Sequence, residues 1–136
     1  MRQPATTVTI PLTLAVTAGT GSGDLPGELR YDPADPFAVS LAIGIEGGAA
    51  VVWTFARDLL ADGLCRPSGD GDIQVEPITT EDGREVDITL TTDCRATLSA
   101  PRDTVVAVLV EVFSAVPVGT ELDHLDIDAE LAALLS

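Results

Sequence analysis

The chain has 136 residues, of which 46% are hydrophobic, and this size and composition suit one domain, residues 1–136, with a substantial core. It carries 22 acidic residues against 7 basic ones, all of them Arg, for a formal net charge of −15. Such a surface repels phosphate groups and anionic lipid headgroups, so nucleic-acid binding and membrane association are disfavoured.

The amino-terminal residues lack the charged region, apolar core and cleavage site of a signal peptide. No apolar run reaches the roughly 20 residues of a membrane span. We therefore expect a cytoplasmic protein with no direct membrane insertion. Cys65 and Cys94 show no CxxC spacing, so two reduced, partly buried thiols are expected rather than a disulfide or a reactive thiol.

The first predicted element is a strand over residues 6–16, where apolar and polar side chains alternate. Pro11 cannot donate a ladder hydrogen bond, which predicts that this strand lies at a sheet edge or beside a bulge. Residues 18–27 are rich in Gly, Ser and Pro and predict a loop. A short strand is predicted over residues 28–31, followed by a Pro-rich turn over residues 32–36.

Residues 37–55 predict a β-hairpin. The side chains expected to face inward are Phe37, Val39, Leu41, Ile43 and Ile45, then Val51, Trp53 and Phe55 after a turn at residues 46–48. The opposite side of the first strand carries only small residues, Ala38, Ser40, Ala42 and Gly44, which predicts that another element packs closely there. Trp53 and Phe55 are interpreted as core residues, with an exposed partner pocket as the alternative.

A short helix is predicted over residues 56–62, with Thr54 as its N-cap and Gly63 at its end. Further strands are predicted over residues 73–76, 85–90 and 94–100, which gives about six or seven mainly antiparallel strands.

Residues 101–116 are rich in β-branched side chains and apolar on every side, so periodicity alone does not choose between strand and helix. Ser99 as an N-cap and Pro101 inside the first turn favour a helix. Because it is apolar all round, we expect it under the sheet or between subunits. An amphipathic terminal helix is predicted over residues 126–135.

The chain lacks the residues of the common catalytic motifs. Without Lys there is neither a phosphate-binding GxxxxGK loop nor a Schiff base, and no GxSxG, HExxH or dinucleotide fingerprint occurs. His124 lies near Asp123 and Asp126, but acidic residues near a helix start are explained by the helix dipole more simply than by a metal site. Asp70 and Asp72 resemble part of a calcium loop whose ligand series is not continued, so a turn is favoured.

The few cations need partners in such an acidic chain. Arg30, Arg57 and Arg66 are each expected to pair with a neighbouring carboxylate, with contact to a partner protein as the alternative. Examples of such neighbouring carboxylates are Asp32, Asp58 and Asp62.

One set of residues resembles a known family. It comprises Arg30-Tyr31-Asp32, Asp35-Pro36, Trp53, residues 55–60, Gly63-Leu64, Pro67 and residues 69–72, with weaker similarity through Pro101, Gly119-Thr120-Glu121, His124, Asp126, Asp128, Glu130-Leu131 and Leu134. With these residues the chain resembles the SsgA-like proteins, actinobacterial regulators of sporulation-specific cell division. It is most similar to the branch that marks septum sites, although Phe37 and residues 91–99 depart from that pattern.

The resemblance implies an α+β fold, a Whirly-like twisted antiparallel sheet of about seven strands with a short helix and two C-terminal helices. It also implies a homotrimer without cofactors that is concentrated at division septa and recruits or stabilises FtsZ, aided by SsgA-type paralogues. The partner-binding or signature candidates are Arg30, Tyr31, Asp32, Trp53, Arg57, Asp58 and Asp72.

Two other functions are suggested by parts of the sequence. A Whirly-like sheet suggests single-stranded nucleic-acid binding, which the net charge opposes. A small acidic enzyme using Asp32 and Asp35 would need a positioned base or nucleophile, and none is identified.

Overall fold

The computed structural model describes residues 7–19, 21–44, 50–91, 95–125, 132 and 134–135. These residues form one seven-stranded antiparallel sheet, in the order β4-β3-β2-β1-β7-β6-β5, with a short and a longer helix, which confirms the predicted α+β class. The elements are β1 Val8–Ala18, β2 Gly21–Tyr31, β3 Ala38–Gly44, β4 Ala50–Ala56, α1 Arg57–Asp62, β5 Ile73–Thr80, β6 Gly83–Thr91, β7 Arg95–Pro101 and α2 Arg102–Ala115.

The predicted loop over residues 18–27 is wrong, because most of it belongs to β2. Every residue of β2 has a partner on β1, from Gly21 opposite Ala18 to Tyr31 opposite Val8. Gly19, at φ 58°, takes the left-handed conformation that the tight connection requires. The pairing with β1 therefore overrides the weak strand preference of this Gly-rich segment.

Pro11 belongs to β1, which is the central strand of the sheet, so the predicted edge position of β1 is wrong for the strand as a whole. However, β7 pairs only with residues Ala15 to Ala18, which leaves Pro11 with β2 as its one strand neighbour. A cavity of about 570 Å³ opens beside the unpaired part of β1, next to Glu111 and Ser114 of α2. Locally, Pro11 therefore occupies the open side that its missing N–H predicts.

The alternation of β3 is confirmed, since Val39, Leu41 and Ile43 are buried in the core. Phe37 is exposed, and its predicted inward position is wrong because the turn after Tyr31 continues through it. On the other face, only Ala42 is buried; Ile45 and the predicted hairpin turn lie outside the described residues.

Helix α1 is confirmed, but its predicted N-cap is wrong. Ala56 precedes the helix without any capping side chain, and the Thr54 hydroxyl instead lies 3.0 Å from the Ser40 hydroxyl on β3. Gly63 ends the helix as predicted, with an ordinary φ of −66°. Its small size matters for packing, because an added Cβ would lie 2.2 Å from Cγ1 of Val75.

Helix α2 is confirmed over nearly the predicted range. Ser99 is not its cap, because β7 continues to Pro101 and the Ser99 hydroxyl donates to Oδ1 of Asp87 at 2.5 Å. The helix packs on β1, β6 and β7 through its buried side chains, Val105, Val108, Leu109 and Val112. Its opposite side is exposed at Val110, so it is not buried all round.

After α2 the chain forms a 3₁₀ turn, Glu121–His124. The predicted terminal helix falls largely outside the described residues, and the described Leu134 and Leu135 are exposed. Cys94 also lies outside them, whereas Cys65 is exposed rather than partly buried. Within the described part of the chain, no helix is both long enough and apolar enough to cross a bilayer.

Candidate interaction surface

Arg57, the first residue of α1, is the largest fully buried side chain among the described residues, at 1% exposure. Its guanidinium donates to the carbonyl oxygen of Val116 at 2.7 Å, to Oε1 of Glu121 at 2.8 Å and to the hydroxyl of Tyr31 at 3.3 Å. A buried charge requires such neutralisation, since removing it from water costs several kcal/mol. The Arg57 cluster, defined as Tyr31, Arg57, Phe113, Val116 and Glu121, therefore satisfies its cation internally.

Aromatic groups complete the cluster. The ring of Phe113 lies 4.4 Å from the guanidinium carbon of Arg57, within the range of a cation–π interaction. Tyr31 donates its hydroxyl to the carbonyl of Pro36 at 2.8 Å, and burial raises the pKa of Tyr31, so it remains a neutral donor. The backbone N–H of Arg57 also donates to the carbonyl of Phe37 at 2.8 Å. The cluster thus connects the end of β2, the turn before β3, α1, α2 and the segment after α2.

Glu121 is held in its charged form. Backbone hydrogen bonds from Glu121 itself and from Gly119 lower the pKa of this carboxyl, and the Arg57 guanidinium lowers it further. The Gly119 N–H lies 3.0 Å from Oε2, and Gly119 adopts a φ of +94° that favours glycine in the turn. The ion pair therefore fixes the chain direction after α2.

Three large apolar side chains are exposed immediately next to the cluster in sequence. Phe37 is 47%, Val118 76% and Leu122 67% exposed. Each lies close in sequence to a group that is bonded to Arg57. Phe37 contributes its own carbonyl, Val118 follows Val116 by two residues, and Leu122 follows Glu121 directly. We call these three residues the rim. Single exposed apolar residues are ordinary, whereas a group of them on one surface marks a contact site. The three segments that carry these residues are all bonded to Arg57.

The residues predicted as site candidates do not form a single site. Tyr31 and Arg57 come together in the interior, where their role is structural. Trp53 is half-buried against the core, and Asp58 is exposed in the first turn of α1. Asp72 is exposed at the start of β5, where its carbonyl accepts the N–H of Thr91.

Arg30 and Asp32 lie at a second location, on the outer face of the sheet. With Asp35, Ser40 and Val52 they line a cavity of about 250 Å³. Both carboxylates are exposed, and the described residues that line the cavity include no nucleophile with a positioned base. Among the described residues, no group of three or more His, Cys, Asp or Glu side chains is arranged to hold a metal ion.

The prediction that each Arg pairs with a neighbouring carboxylate is confirmed for Arg30 and wrong for Arg57. Arg57 pairs with Glu121 rather than Asp58 or Asp62, and Arg30 pairs with Glu28 rather than Asp32. For Arg66, which is exposed, the described residues provide no ion pair. Glu121 was therefore the residue missed as a partner, although it stands in the Gly119-Thr120-Glu121 segment that contributed to the family resemblance.

Comparisons with known proteins agree on one relationship. The family model described as "Streptomyces sporulation and cell division protein, SsgA" matches residues 25–121. The chain is 42% identical over 136 residues to the sporulation-specific cell division protein SsgB of Frankia casuarinae, covering 99% of this chain and 94% of that protein. It is 41% identical to the protein of the same name from Streptomyces coelicolor, covering 96% and 97% of the two chains.

A solved structure gives the same result for the fold. The SsgA-like sporulation-specific cell division protein of Thermobifida fusca superposes with a TM-score of 0.86 at 31% sequence identity, covering 98% of both chains.

Proposed function

Because the chain belongs to the SsgA family of sporulation and cell division proteins, on its SsgB-type branch, we propose that it marks septum sites and recruits or stabilises FtsZ. It does so through protein–protein contacts, without catalysis. The observation that supports this proposal is the rim, Phe37, Val118 and Leu122, held beside the Arg57 cluster.

The rim has the physical properties of a binding surface. Large apolar side chains supply most of the binding free energy at protein interfaces when they are already held in place before association. Arg57 is bonded to the backbone carbonyls of Phe37 and Val116 and to the side chain of Glu121 beside Leu122, and these bonds reduce the conformational entropy that the rim loses on binding. Asp58, exposed in the first turn of α1, adds a polar group next to Arg57.

We further propose that the protein acts as a homo-oligomer, a trimer as its family resemblance implies. The support is the outward side of α2, where Val106, Ala107 and Val110 follow the spacing of one helix face and Val110 is 59% exposed. An oligomer presents several copies of the rim to a polymer, and this multiplies a modest single-site affinity.

The oligomer is tested by sedimentation of the wild-type chain and two variants at micromolar concentration. Val110→Asn should shift the protein to monomer, whereas Thr80→Asn, a change at an exposed position of β5, should leave the oligomer intact. A monomeric wild-type chain would overturn the multivalent mechanism.

The partner contact is tested by capture of FtsZ from sporulating cells. The double variant Phe37→Ser with Leu122→Ser should capture at least tenfold less FtsZ, while Arg84→Ser, at an exposed position of β6, should capture as much as wild type. Sedimentation and thermal melting of each variant establish that fold and assembly are retained. Full capture by the double variant would remove the rim assignment, and no capture by the wild-type chain would remove the proposed function.

A further inference from the structure

The strand β4 ends the sheet on one side, with only β3 as its strand neighbour. Its sequence, Ala-Val-Val-Trp-Thr-Phe-Ala, contains no charged residue and no Pro. Val51 and Val52 point to opposite faces of the sheet, yet they are 41% and 50% exposed. Proteins usually protect an edge strand with charges, Pro or a covering element, so an uncharged β-branched edge is a template for strand pairing.

The ladder indicates which backbone groups of β4 are unpaired. The N–H of Arg57 donates to the carbonyl of Phe37, and these two residues continue the register in which Ala56 faces Ala38. Because bonded and non-bonded pairs alternate in an antiparallel ladder, the N–H and C=O of Val52 and Thr54 and the N–H of Ala56 point away from β3. The Ala56 carbonyl, at the N-cap of α1, accepts the first hydrogen bond of that helix. The described residues provide no backbone hydrogen bond for the outward groups of Val52 and Thr54 or for the N–H of Ala56.

The surroundings of β4 are negatively charged. The 250 Å³ cavity beside Val52 contains Asp32 and Asp35, and among the described residues that line it the only cation, Arg30, is already paired with Glu28. Asp58 follows the strand directly and is exposed. A second copy of this chain would bring another net charge of −15 and no Lys, so charge complementarity selects a different, basic occupant.

We propose that β4 binds an extended, basic segment of a partner protein as an eighth strand of the sheet. The segment hydrogen-bonds to the outward backbone groups of Val52 and Thr54, and a Lys or Arg side chain enters the cavity beside Asp32 and Asp35. Main-chain bonds supply affinity and alternate side chains supply specificity, as in other cases of strand addition. The inference goes beyond the proposed function, since it requires neither FtsZ nor the rim.

The test is an NMR titration of the ¹⁵N-labelled chain with synthetic peptides of seven alternating Val and Thr residues. One peptide carries a Lys at each end and the other carries a Glu at each end. The Lys peptide should shift the amide signals of β4 saturably. At low salt it should bind at least tenfold more tightly than the Glu peptide. The double variant Asp32→Asn with Asp35→Asn should reduce that preference to less than threefold.

A second pair of measurements isolates the backbone contribution. Val52→Pro removes an outward N–H and should weaken binding at least tenfold, whereas Val52→Ala, which removes only side-chain atoms, should weaken it less than threefold. Since a Pro variant can fail to fold, the Lys peptide is also N-methylated at alternate positions. Methylation on one set of alternate residues should abolish binding, and methylation on the other set should not.

Three results would each overturn the proposal. These are no saturable shift in β4, equal binding of the Lys and Glu peptides, and binding that both N-methylated peptides retain. A change in the size of the oligomer caused by Val52→Pro would show that a second copy occupies the edge instead. FtsZ capture by the rim does not enter any of these outcomes, so the two proposals fail separately.

Discussion

The two edge strands of the sheet, β4 and β5, differ in how their outward backbone groups are protected. On β5, the N–H and C=O of Val75 are bonded to Ser68 at 2.9 and 2.8 Å. Pro77 has the same orientation two residues later and lacks an N–H, and Glu76 adds a charge between them. On β4, the outward groups have neither a backbone partner among the described residues nor a charge or Pro to protect them. The comparison shows that an open edge is avoidable in this fold, and that β4 departs from the protected pattern.

Protection of β5 depends on the segment that follows α1. Gly63 packs against Val75 so closely that an added Cβ would lie 2.2 Å from Cγ1 of Val75. Gly69, at φ +98°, approaches the carbonyl of Ile73, to which an added Cβ would be 2.5 Å away. Since Arg57 begins α1, the Arg57 cluster also sets where this covering segment lies.

The largest expected effect comes from removing the anchor of α1. Arg57→Ala should lower the free energy of unfolding by about 4 kcal/mol. The substitution leaves Glu121 and the Val116 carbonyl without their hydrogen-bond donor and creates a cavity. Urea denaturation measures the change, and faster hydrogen exchange at Val75 would show that the covered edge has opened. Arg66→Ala, at an exposed position, is the control and should change stability by less than about 0.5 kcal/mol.

If Arg57→Ala cost less than about 1 kcal/mol, the Arg57 cluster would not be what positions the cover of β5.

A smaller effect is expected from the contact that closes β5. Gly63→Ala should destabilise the protein by about 2 kcal/mol, because the new methyl group overlaps Val75 and forces α1 away from the strand. Gly71→Ala is the matched control, since an added Cβ there has no atom within 4 Å and the residue does not have a positive φ. Thermal melting of both variants gives the comparison, and equal melting temperatures would contradict close packing of α1 on β5.

The smallest effect is a dependence of stability on pH. The pKa of Glu121 is lower in the folded protein than its ordinary value of 4.5, so the unfolded chain takes up this proton first as pH falls. The contribution of Glu121 to stability is therefore complete above that value and is lost as pH drops below it, through the folded pKa. Urea denaturation between pH 7 and pH 3 measures this loss.

Glu121→Gln should show a shallower acid loss of stability than wild type, while Glu81→Gln, at an exposed position, should follow the wild-type curve. Identical curves for wild type and Glu121→Gln would exclude the ion pair as an acid-sensitive element.

Much of the fold was predictable because the alternation of apolar and polar side chains indicates the strands. The buried series Val39, Leu41 and Ile43 follows the two-residue period that a half-buried strand requires. The failures occurred where a neighbouring strand decides the conformation. Gly21 to Gly27 form a strand only because β1 pairs with them, and Ser99 remains in β7 because β6 pairs with it.

The site was less predictable, and the reason is the distance along the chain. The residue types around Arg57 suggested a local carboxylate, but its partner Glu121 lies 64 positions away. Side-chain periodicity does not indicate such a distant contact. The only sequence signal for Glu121 was its place in the Gly119-Thr120-Glu121 segment of the family resemblance. The open edge of β4 was likewise invisible, since a strand's position in the sheet order depends on every other pairing.

The same separation has a consequence for biosynthesis. At a translation rate of about 5–20 residues per second, Glu121 is added to the growing chain roughly 3 to 13 seconds after Arg57. Throughout this interval the nascent chain already contains β1 to β4 but lacks the carboxylate that neutralises its buried cation. The ion pair can therefore form only after residue 121 has been made, and chaperones that hold emerging polypeptides have this interval in which to act on the chain.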